Sequence, residues 1–251
     1  MKDTTHPIQT DERRILKQYF KEYLITVRNL SQSSVQHYFN ALNTASRYLR
    51  EKQLVAEDIY EIQNLTQLHA VRDILYADPE FIELDTRGRR MYSAGLNNYC
   101  RFAEGEDFRA DKSHILQLDM PIDVPVHTAK NTRREHIEWR RSDILREQVI
   151  QSARYTCEVN SAHQSFLARK NNKPYMEGHH IIPLRYQQKF DYSLDVYANI
   201  ICLCPVCHRL LHYGIKCDIE PVLEDIWEKR KERFAKSGLV LTESKFMDLV
   251  L

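Results

Sequence analysis

The sequence lacks any apolar run that approaches the roughly 18 residues of a membrane-spanning helix. Its first residues, Met1 to Pro7, also lack the apolar stretch and the small-residue cleavage site of a secretory signal. We therefore expect a cytoplasmic protein with no membrane partner. In that reducing compartment the six cysteines favour metal binding or core packing over disulfides.

The sequence also lacks a surplus of charge of either sign, because its 36 lysines and arginines are balanced by 35 aspartates and glutamates. A net charge of +1 neither requires nor excludes a nucleic-acid partner, so the local clustering of basic residues matters more. The apolar content of 43% and the charged content of 28% exclude a largely disordered chain. At 251 residues the chain is long enough for two domains, which is the organisation we predict.

Glycine is absent before Gly88, and the apolar residues of this part recur at helical spacing from about Asp11 onwards. The second helix is expected to end near Lys52 and a third to cover Leu65–Tyr76, until Asp78-Pro79 breaks it. A fourth helix should cover Met91 to Phe102. These patterns predict an all-α helical bundle over residues 1–104.

The helical periodicity fades between Gly105 and Thr128, where acidic residues outnumber basic ones, and we interpret residues 105–129 as a linker. A second domain, residues 130–251, is expected to open with a basic helix that runs to about Ala153. Two interpretations of this helix stay open: contact with the phosphates of a polyanion, or a solvated amphipathic face. The basic residues of this helix are Lys130, Arg133, Arg134, Arg140, Arg141 and Arg146.

At the end of the second domain, residues Pro221 to Ser237 predict an amphipathic closing helix.

One segment of the second domain carries a dense cluster of histidines. If the chain around them is helical, His208 and His212 lie on one face and can hold one metal ion, with His179 as a third ligand. Fewer than four protein ligands leave a position open for water or a phosphate oxygen, which indicates catalysis rather than scaffolding. On an extended strand His180 points away from His179, so it is free to act as a general base.

Two further polar residues join this cluster. The amide of Asn199 could hydrogen-bond the backbone of the hairpin loop and fix the orientation of His180. Glu177 shares the strand face of His179 and could be either an outer-sphere acceptor or an additional metal ligand. A lone asparagine is usually a turn residue and a lone histidine an ordinary polar contact, so it is their joint spacing that favours a site.

The run Cys204-Pro205-Val206-Cys207 is half of a tetrahedral thiolate site, and Cys157 and His163 are its best complement. Together they predict a structural zinc, against the alternative of a buried thiol and a surface imidazole. A single ion shared by the Cys-x-x-Cys run and the helical histidines is less favoured, because the adjacent Cys207 and His208 point in different directions. We expect the remaining cysteines to be packing residues: Cys100, Cys202 and Cys217.

Three of these residues stand in the order His180, Asn199, His208. They lie within the runs Glu177-Gly178-His179-His180-Ile181-Ile182-Pro183-Leu184 and Leu203-Cys204-Pro205-Val206-Cys207-His208-Arg209-Leu210-Leu211-His212. Over roughly Tyr155 to Gly214 this region resembles the HNH endonuclease family, and within it the McrA-type bacterial restriction endonucleases.

The resemblance implies an α+β protein, in which the helical bundle precedes a ββα-metal nuclease domain with a zinc knuckle. It implies that His180 is the general base and Asn199 the orienting residue. It also implies that His179, His208 and His212 bind a divalent Mg, Mn, Ni or Zn ion, with Glu177 in the catalytic set. Many members of the family hold a four-ligand zinc, which matches the cysteine pair.

By the same resemblance the chain is an enzyme, a metal-dependent DNA endonuclease that hydrolyses phosphodiester bonds of double-stranded DNA. A role in restriction or phage defence, with dependence on DNA modification as one form of it, follows by analogy only. The alternatives are a mobile-element nicking nuclease, an HNH nuclease acting on RNA, and a zinc-stabilised DNA-binding module that does not cut. Double-strand cleavage with one site per chain favours a homodimer or sequential nicking.

The N-terminal segment Leu30-Ser31-Gln32-Ser33-Ser34-Val35-Gln36-His37-Tyr38 and the helix after it resemble the helical DNA-clamping domain of tyrosine recombinases. This resemblance implies DNA contact only, because the chain is too short to contain the recombinase catalytic domain. The bundle is therefore expected to serve DNA recognition or dimerisation. The alternative is a set of core helices with no role on DNA.

Overall fold

The structure is a computed structural model that describes residues 15–56, 58–105, 107, 122–127 and 141–251. The predicted start of the first helix, most of the predicted linker, and the basic residues Lys130, Arg133, Arg134 and Arg140 lie outside the described residues. Among the described residues, no helix is both long and apolar enough to cross a membrane.

The N-terminal part is helical, as predicted, and its core is built from aromatic rings. The ring of Phe20 packs against Tyr99 and Phe102 at centroid distances of 5.2 and 5.5 Å. Helix α2 (Gln32–Glu51) and helix α5 (Met91–Ala103) approach closely at Gly95, where a Cβ atom would lie 2.9 Å from the Cβ of Ala41. The helices are α1 (Ile15–Glu22), which continues into a π-helix (Tyr23–Val27), α2 (Gln32–Glu51), α3 (Leu65–Ala77), α4 (Pro79–Arg87) and α5 (Met91–Ala103), with a 3-10 turn at Ile59–Glu61.

Side-chain caps explain where α2, α3 and α4 begin. Ser31 accepts a hydrogen bond from the backbone N of Ser34 at the start of α2, as Asn64 does from Gln67 at the start of α3. The break predicted at Asp78-Pro79 is present, but the pair also starts α4, which the sequence analysis missed. Asp78 caps the new helix, and proline is well suited to its first turn because the N–H groups there have no partner inside the helix.

The C-terminal part contains the ββα unit. Strand β1 (Glu177–His180) pairs antiparallel with β2 (Ile200–Leu203), so that Glu177 lies opposite Leu203 and His180 opposite Ile200. Helix α7 (Pro205–Tyr213) follows β2 directly, and α6 (Asp143–Ser152) packs against the strand pair. At Gly178 a Cβ atom would lie 3.2 Å from the Cβ of Arg146, which explains the glycine in this strand. The α+β architecture with a ββα unit is thus confirmed.

Two helices close the chain. The first, α8 (Lys216–Lys236), starts before the predicted boundary, so Pro221 lies inside the helix rather than at its beginning. Only the predicted start of this helix was wrong, because a proline within the first turns removes a single backbone hydrogen bond and the residues before it still form a helical turn. The second, α9 (Glu243–Val250), was not predicted.

The helical bundle and the ββα unit share one buried core. The rings of Tyr19 and Tyr197 pack 4.3 Å apart, and the side-chain amide of Gln148 donates to the carbonyl of Phe102 at 2.5 Å. These contacts fix the bundle against α6 and against the segment that precedes β2. The division at residues 104 and 130 stays a prediction.

Candidate metal centres and active site

Three cysteines and one histidine converge beside the start of α7. One ligand atom from each of Cys157, His163, Cys204 and Cys207 lies within 4.8 Å of all the others. The Nδ1 atom of His163 is 3.2 Å from the sulfur of Cys207 and 3.7 Å from that of Cys204. The donor set fits a tetrahedral structural zinc, as the sequence predicted.

The electrostatics of this cluster also suit a cation. Burial opposes the thiolate form of Cys157, but backbone N–H groups of Cys204 and Asn160 and the ring of His163 lower the pKa of its thiol to about 7. Burial and the neighbouring sulfurs raise the pKa of Cys207. Several thiolates can coexist here only if a positive charge offsets their repulsion, which a divalent ion supplies.

A second cluster consists of three histidines on β1 and α7. One ligand nitrogen from each of His179, His208 and His212 lies within 4.8 Å of the others. Their rings stand nearly perpendicular, with centroids 4.7 to 5.0 Å apart. The i, i+4 spacing on α7 and the strand position of His179 produce this convergence, as expected.

All three rings can serve as ligands only in the neutral form. Burial, followed by the repulsion of His208 and His212, lowers the pKa of His179 to about 3. Burial lowers the pKa of His208 too, against the opposing effect of Glu177. Neutral imidazoles that share a small volume fit a divalent cation with part of its coordination sphere left to other ligands.

Glu177 reaches this cluster from the other end of β1. Its Oε2 atom is 2.5 Å from Nδ1 of His208. With Nδ1 turned towards the carboxylate, Nε2 of His208 is the nitrogen left for a metal ion. The arrangement suits an outer-sphere carboxylate and keeps a direct metal contact within reach.

His180 lies on the opposite face of β1 and has a partner that the sequence analysis missed. Its Nε2 atom is 2.7 Å from Oδ1 of Asp195, and both side chains are buried. The other carboxylate oxygen of Asp195 accepts a hydrogen bond of 2.9 Å from the backbone N of Ser142, the residue that caps α6. A carboxylate held in this way fixes the imidazole ring and leaves Nδ1 as its proton acceptor.

Asn199 is fully buried and acts on the backbone, as expected. Its amide oxygen accepts from the backbone N of Ile182, and its nitrogen donates to the carbonyls of Ile182 and Leu194 at 2.9 and 2.8 Å. One amide thus ties the chain after His180 to the residue before Asp195. Asn199 therefore positions both members of the buried His180–Asp195 pair, and it does so through the backbone next to each of them.

A buried arginine supports the same loop from behind. The Nη1 atom of Arg230 on α8 donates to the carbonyls of Ala198 and Ile200, each at 2.9 Å. Its Nη2 atom contacts Glu158, whose other oxygen accepts from the backbone N of Cys202. No pattern in the sequence marks Arg230 or Glu158, because each is a single charged residue without a characteristic spacing to the motif.

The remaining predictions for individual residues have different outcomes. Cys100 and Cys202 are buried, in line with packing roles, but the prediction for Cys217 was wrong because it is exposed in the first turn of α8. Arg146 lies against β1, with its Nη1 atom bound to Asp143. Arg141 is exposed and close enough to His179 to lower its pKa.

Comparison with known proteins identifies the same region. Over 74 residues the chain is 34% identical to the "Type IV methyl-directed restriction enzyme EcoKMcrA" of Escherichia coli (strain K12). The alignment covers 30% of this chain and 24% of that enzyme, so the similar part spans about a quarter of the relative's length. Residues 166–214, which contain β1, β2 and α7, match the model of the HNH endonuclease family, and the resemblance expected from the sequence is thereby confirmed.

Proposed function

We propose that this protein is a metal-dependent endonuclease that hydrolyses phosphodiester bonds in double-stranded DNA. The observation that carries the proposal is the position of two groups on opposite faces of β1. A three-histidine cluster occupies one face of the strand, and the His180–Asp195 pair occupies the other. A general base beside a metal site with open coordination is an arrangement suited to hydrolysis of a phosphodiester.

In this proposal His180 accepts at Nδ1 the proton of the attacking water, while Asp195 holds the ring through Nε2 and stabilises the imidazolium that forms. Asn199 keeps the two segments that carry this pair at a fixed separation. A divalent ion bound by His179, His208 and His212 would stabilise the charge that develops on the phosphate and on the leaving oxygen. Cleavage then leaves 5′-phosphate and 3′-hydroxyl ends.

The biological task we propose is restriction or phage defence. The relative whose name describes a methyl-directed restriction enzyme supports a dependence on DNA modification for this chain as well. The N-terminal bundle would select the target or form a homodimer. The structural zinc would hold α7, and with it two of the three histidine ligands, against the strand pair.

The test is cleavage of supercoiled plasmid DNA, methylated and unmethylated, in the presence of magnesium, manganese or nickel. Wild-type protein should cut, and His180→Ala should not, although it should fold and retain its zinc. Cutting of methylated DNA alone would support the modification-dependent form. Tight binding without cutting of either DNA would favour a DNA-binding module and contradict the proposed enzyme.

A further inference from the structure

The chain between Phe166 and Tyr175 forms a short two-stranded ribbon just before β1. The backbone N of Tyr175 donates to the carbonyl of Phe166, and that of Ala168 donates to Lys173, each at 2.8 Å. The turn is closed by Asn172, whose backbone N donates to the carbonyl of Ala168 and whose φ of 54° is left-handed. The ribbon therefore has a defined backbone rather than being an irregular loop.

The tip of this ribbon carries only positive charge. Between Glu158 and Glu177 the sequence has no acidic residue, whereas the tip presents Arg169, Lys170 and Lys173, all exposed. The Nζ atom of Lys170 is 3.8 Å from a carboxylate oxygen of Glu147 on α6. That contact is weak because the lysine side chain is 76% exposed, so the three cations are available to a partner.

The base of the ribbon is attached to the candidate active site. The rings of Phe166 and Tyr175 stack with centroids 4.9 Å apart at 12°. The hydroxyl of Tyr175 donates to Oε1 of Glu177, the first residue of β1, at 3.2 Å. Phe166 nevertheless remains 66% exposed, so one face of its ring is open to solvent.

We propose that this ribbon, residues 166–175, is a contact surface for duplex DNA that holds the substrate at the histidine cluster. The inference rests on the proposed nuclease function and assigns a part of the substrate site. The three cations would bind backbone phosphates, and the open face of Phe166 would pack against a sugar or base edge. A two-stranded ribbon also has a cross-section that the major groove of DNA admits.

The dimensions of the ribbon limit which phosphates it reaches. Each arm has about three residues between base and tip, which corresponds to roughly 10 Å. Because the base of the ribbon adjoins Glu177 and the three cations stand at the tip, the tip meets phosphates other than the one held at the histidine cluster. The ribbon therefore adds affinity beside the reacting phosphate without touching it.

The experiment measures binding of a mixed-sequence DNA duplex by fluorescence anisotropy over a range of salt concentrations. The full chain with its zinc is used in the His180→Ala form, so that cleavage does not interfere. The test variant combines Arg169→Gln, Lys170→Gln and Lys173→Gln. The matched control removes the same charge from exposed positions of α8 and α9, with Lys231→Gln, Lys236→Gln and Lys245→Gln.

We expect the ribbon variant to bind about tenfold more weakly or worse, and the magnitude of the negative slope of log K against log salt to fall by about 2 to 3. The control should change that slope by less than about 0.5, because distant charges release no counterions on binding. Phe166→Ala should weaken binding and leave the slope unchanged. Equal slopes for the ribbon and control variants would overturn the inference, even if the wild-type protein cuts DNA.

A second combination of results distinguishes a failure of the proposed nuclease function from a failure of the DNA-contact inference. A slope that depends on the ribbon, in a protein whose wild-type form cuts no DNA under any metal condition, would uphold the DNA contact and overturn the nuclease. An unchanged zinc content and an unchanged melting temperature of the ribbon variant would show that the exposed substitutions leave the fold intact.

Discussion

The replacement Asp195→Asn tests how the candidate general base is held. The carboxylate accepts two hydrogen bonds, one from the backbone N of Ser142 at 2.9 Å and one from Nε2 of His180 at 2.7 Å. An amide has a single acceptor oxygen. Because the N–H of Ser142 can only donate, it takes that oxygen, and the NH2 group of the asparagine turns towards His180.

His180 must then accept at Nε2 and carry its proton on Nδ1. That is the nitrogen which should receive the proton of the attacking water, so the base is blocked although its ring stays in place. Loss of general-base catalysis lowers a rate by about 10²- to 10⁴-fold. The expected increase in the activation barrier is therefore about 3 to 5 kcal/mol.

The assay is steady-state cleavage of a DNA duplex, with kcat and KM determined separately. We expect kcat to fall by the factor above and KM to stay within about threefold, since the change removes no contact to bound substrate. The control is Ser193→Ala, which removes the hydroxyl that accepts the backbone N–H of Asp195 and spares both carboxylate contacts. If Asp195→Asn cleaves at the wild-type rate while His180→Ala is inactive, the orientation argument is wrong.

Three further predictions concern the metal sites and the stability of the bundle. Cys157→Ser should lower both the zinc content and the melting temperature, because it removes one thiolate from the Cys3His set; unchanged zinc by elemental analysis would contradict that site. His212→Asn should weaken binding of nickel, measured by calorimetry, by more than the roughly 10- to 100-fold that loss of an outer-sphere partner costs, with the zinc retained. Burial favours the neutral acid of Asp107, but hydrogen bonds from Arg101 and Tyr23 lower its pKa. The stability that the Asp107 carboxylate contributes is thus present above the ordinary carboxyl pKa of about 4, and it is lost as the pH falls through the lower pKa of the folded state. Asp107→Asn should therefore flatten the acid side of a stability–pH curve measured by denaturant unfolding.

The part of each candidate metal-ligand cluster that lies between Cys204 and His212 could be predicted from the sequence because its geometry is local. The i, i+4 spacing of His208 and His212 and the Cys-x-x-Cys run need only a helix to bring their ligands together. Strand alternation separates His179 from His180 in the same way. In each case a short-range backbone rule is enough to place the side chains.

Other features could not be predicted because they depend on packing between distant segments. Asp195 reaches His180 only through the loop between the strands, and Arg230 reaches that loop from α8. Neither residue belongs to a repeat or a spacing that would distinguish it from an ordinary surface charge. The pair Asp78-Pro79 was ambiguous for another reason, because a proline can follow one helix and start the next.

The placement of ligands from two clusters on helix α7 limits how the sequence of this helix can vary. Cys207 and His208 are neighbours in the chain, yet one belongs to the cysteine cluster and the other to the histidine cluster. A residue inserted between them would rotate every later position by about 100° and carry His212 away from the strand. Substitutions can therefore accumulate on the outer face of this helix over evolutionary time, whereas the number of residues from Cys204 to His212 has to stay constant.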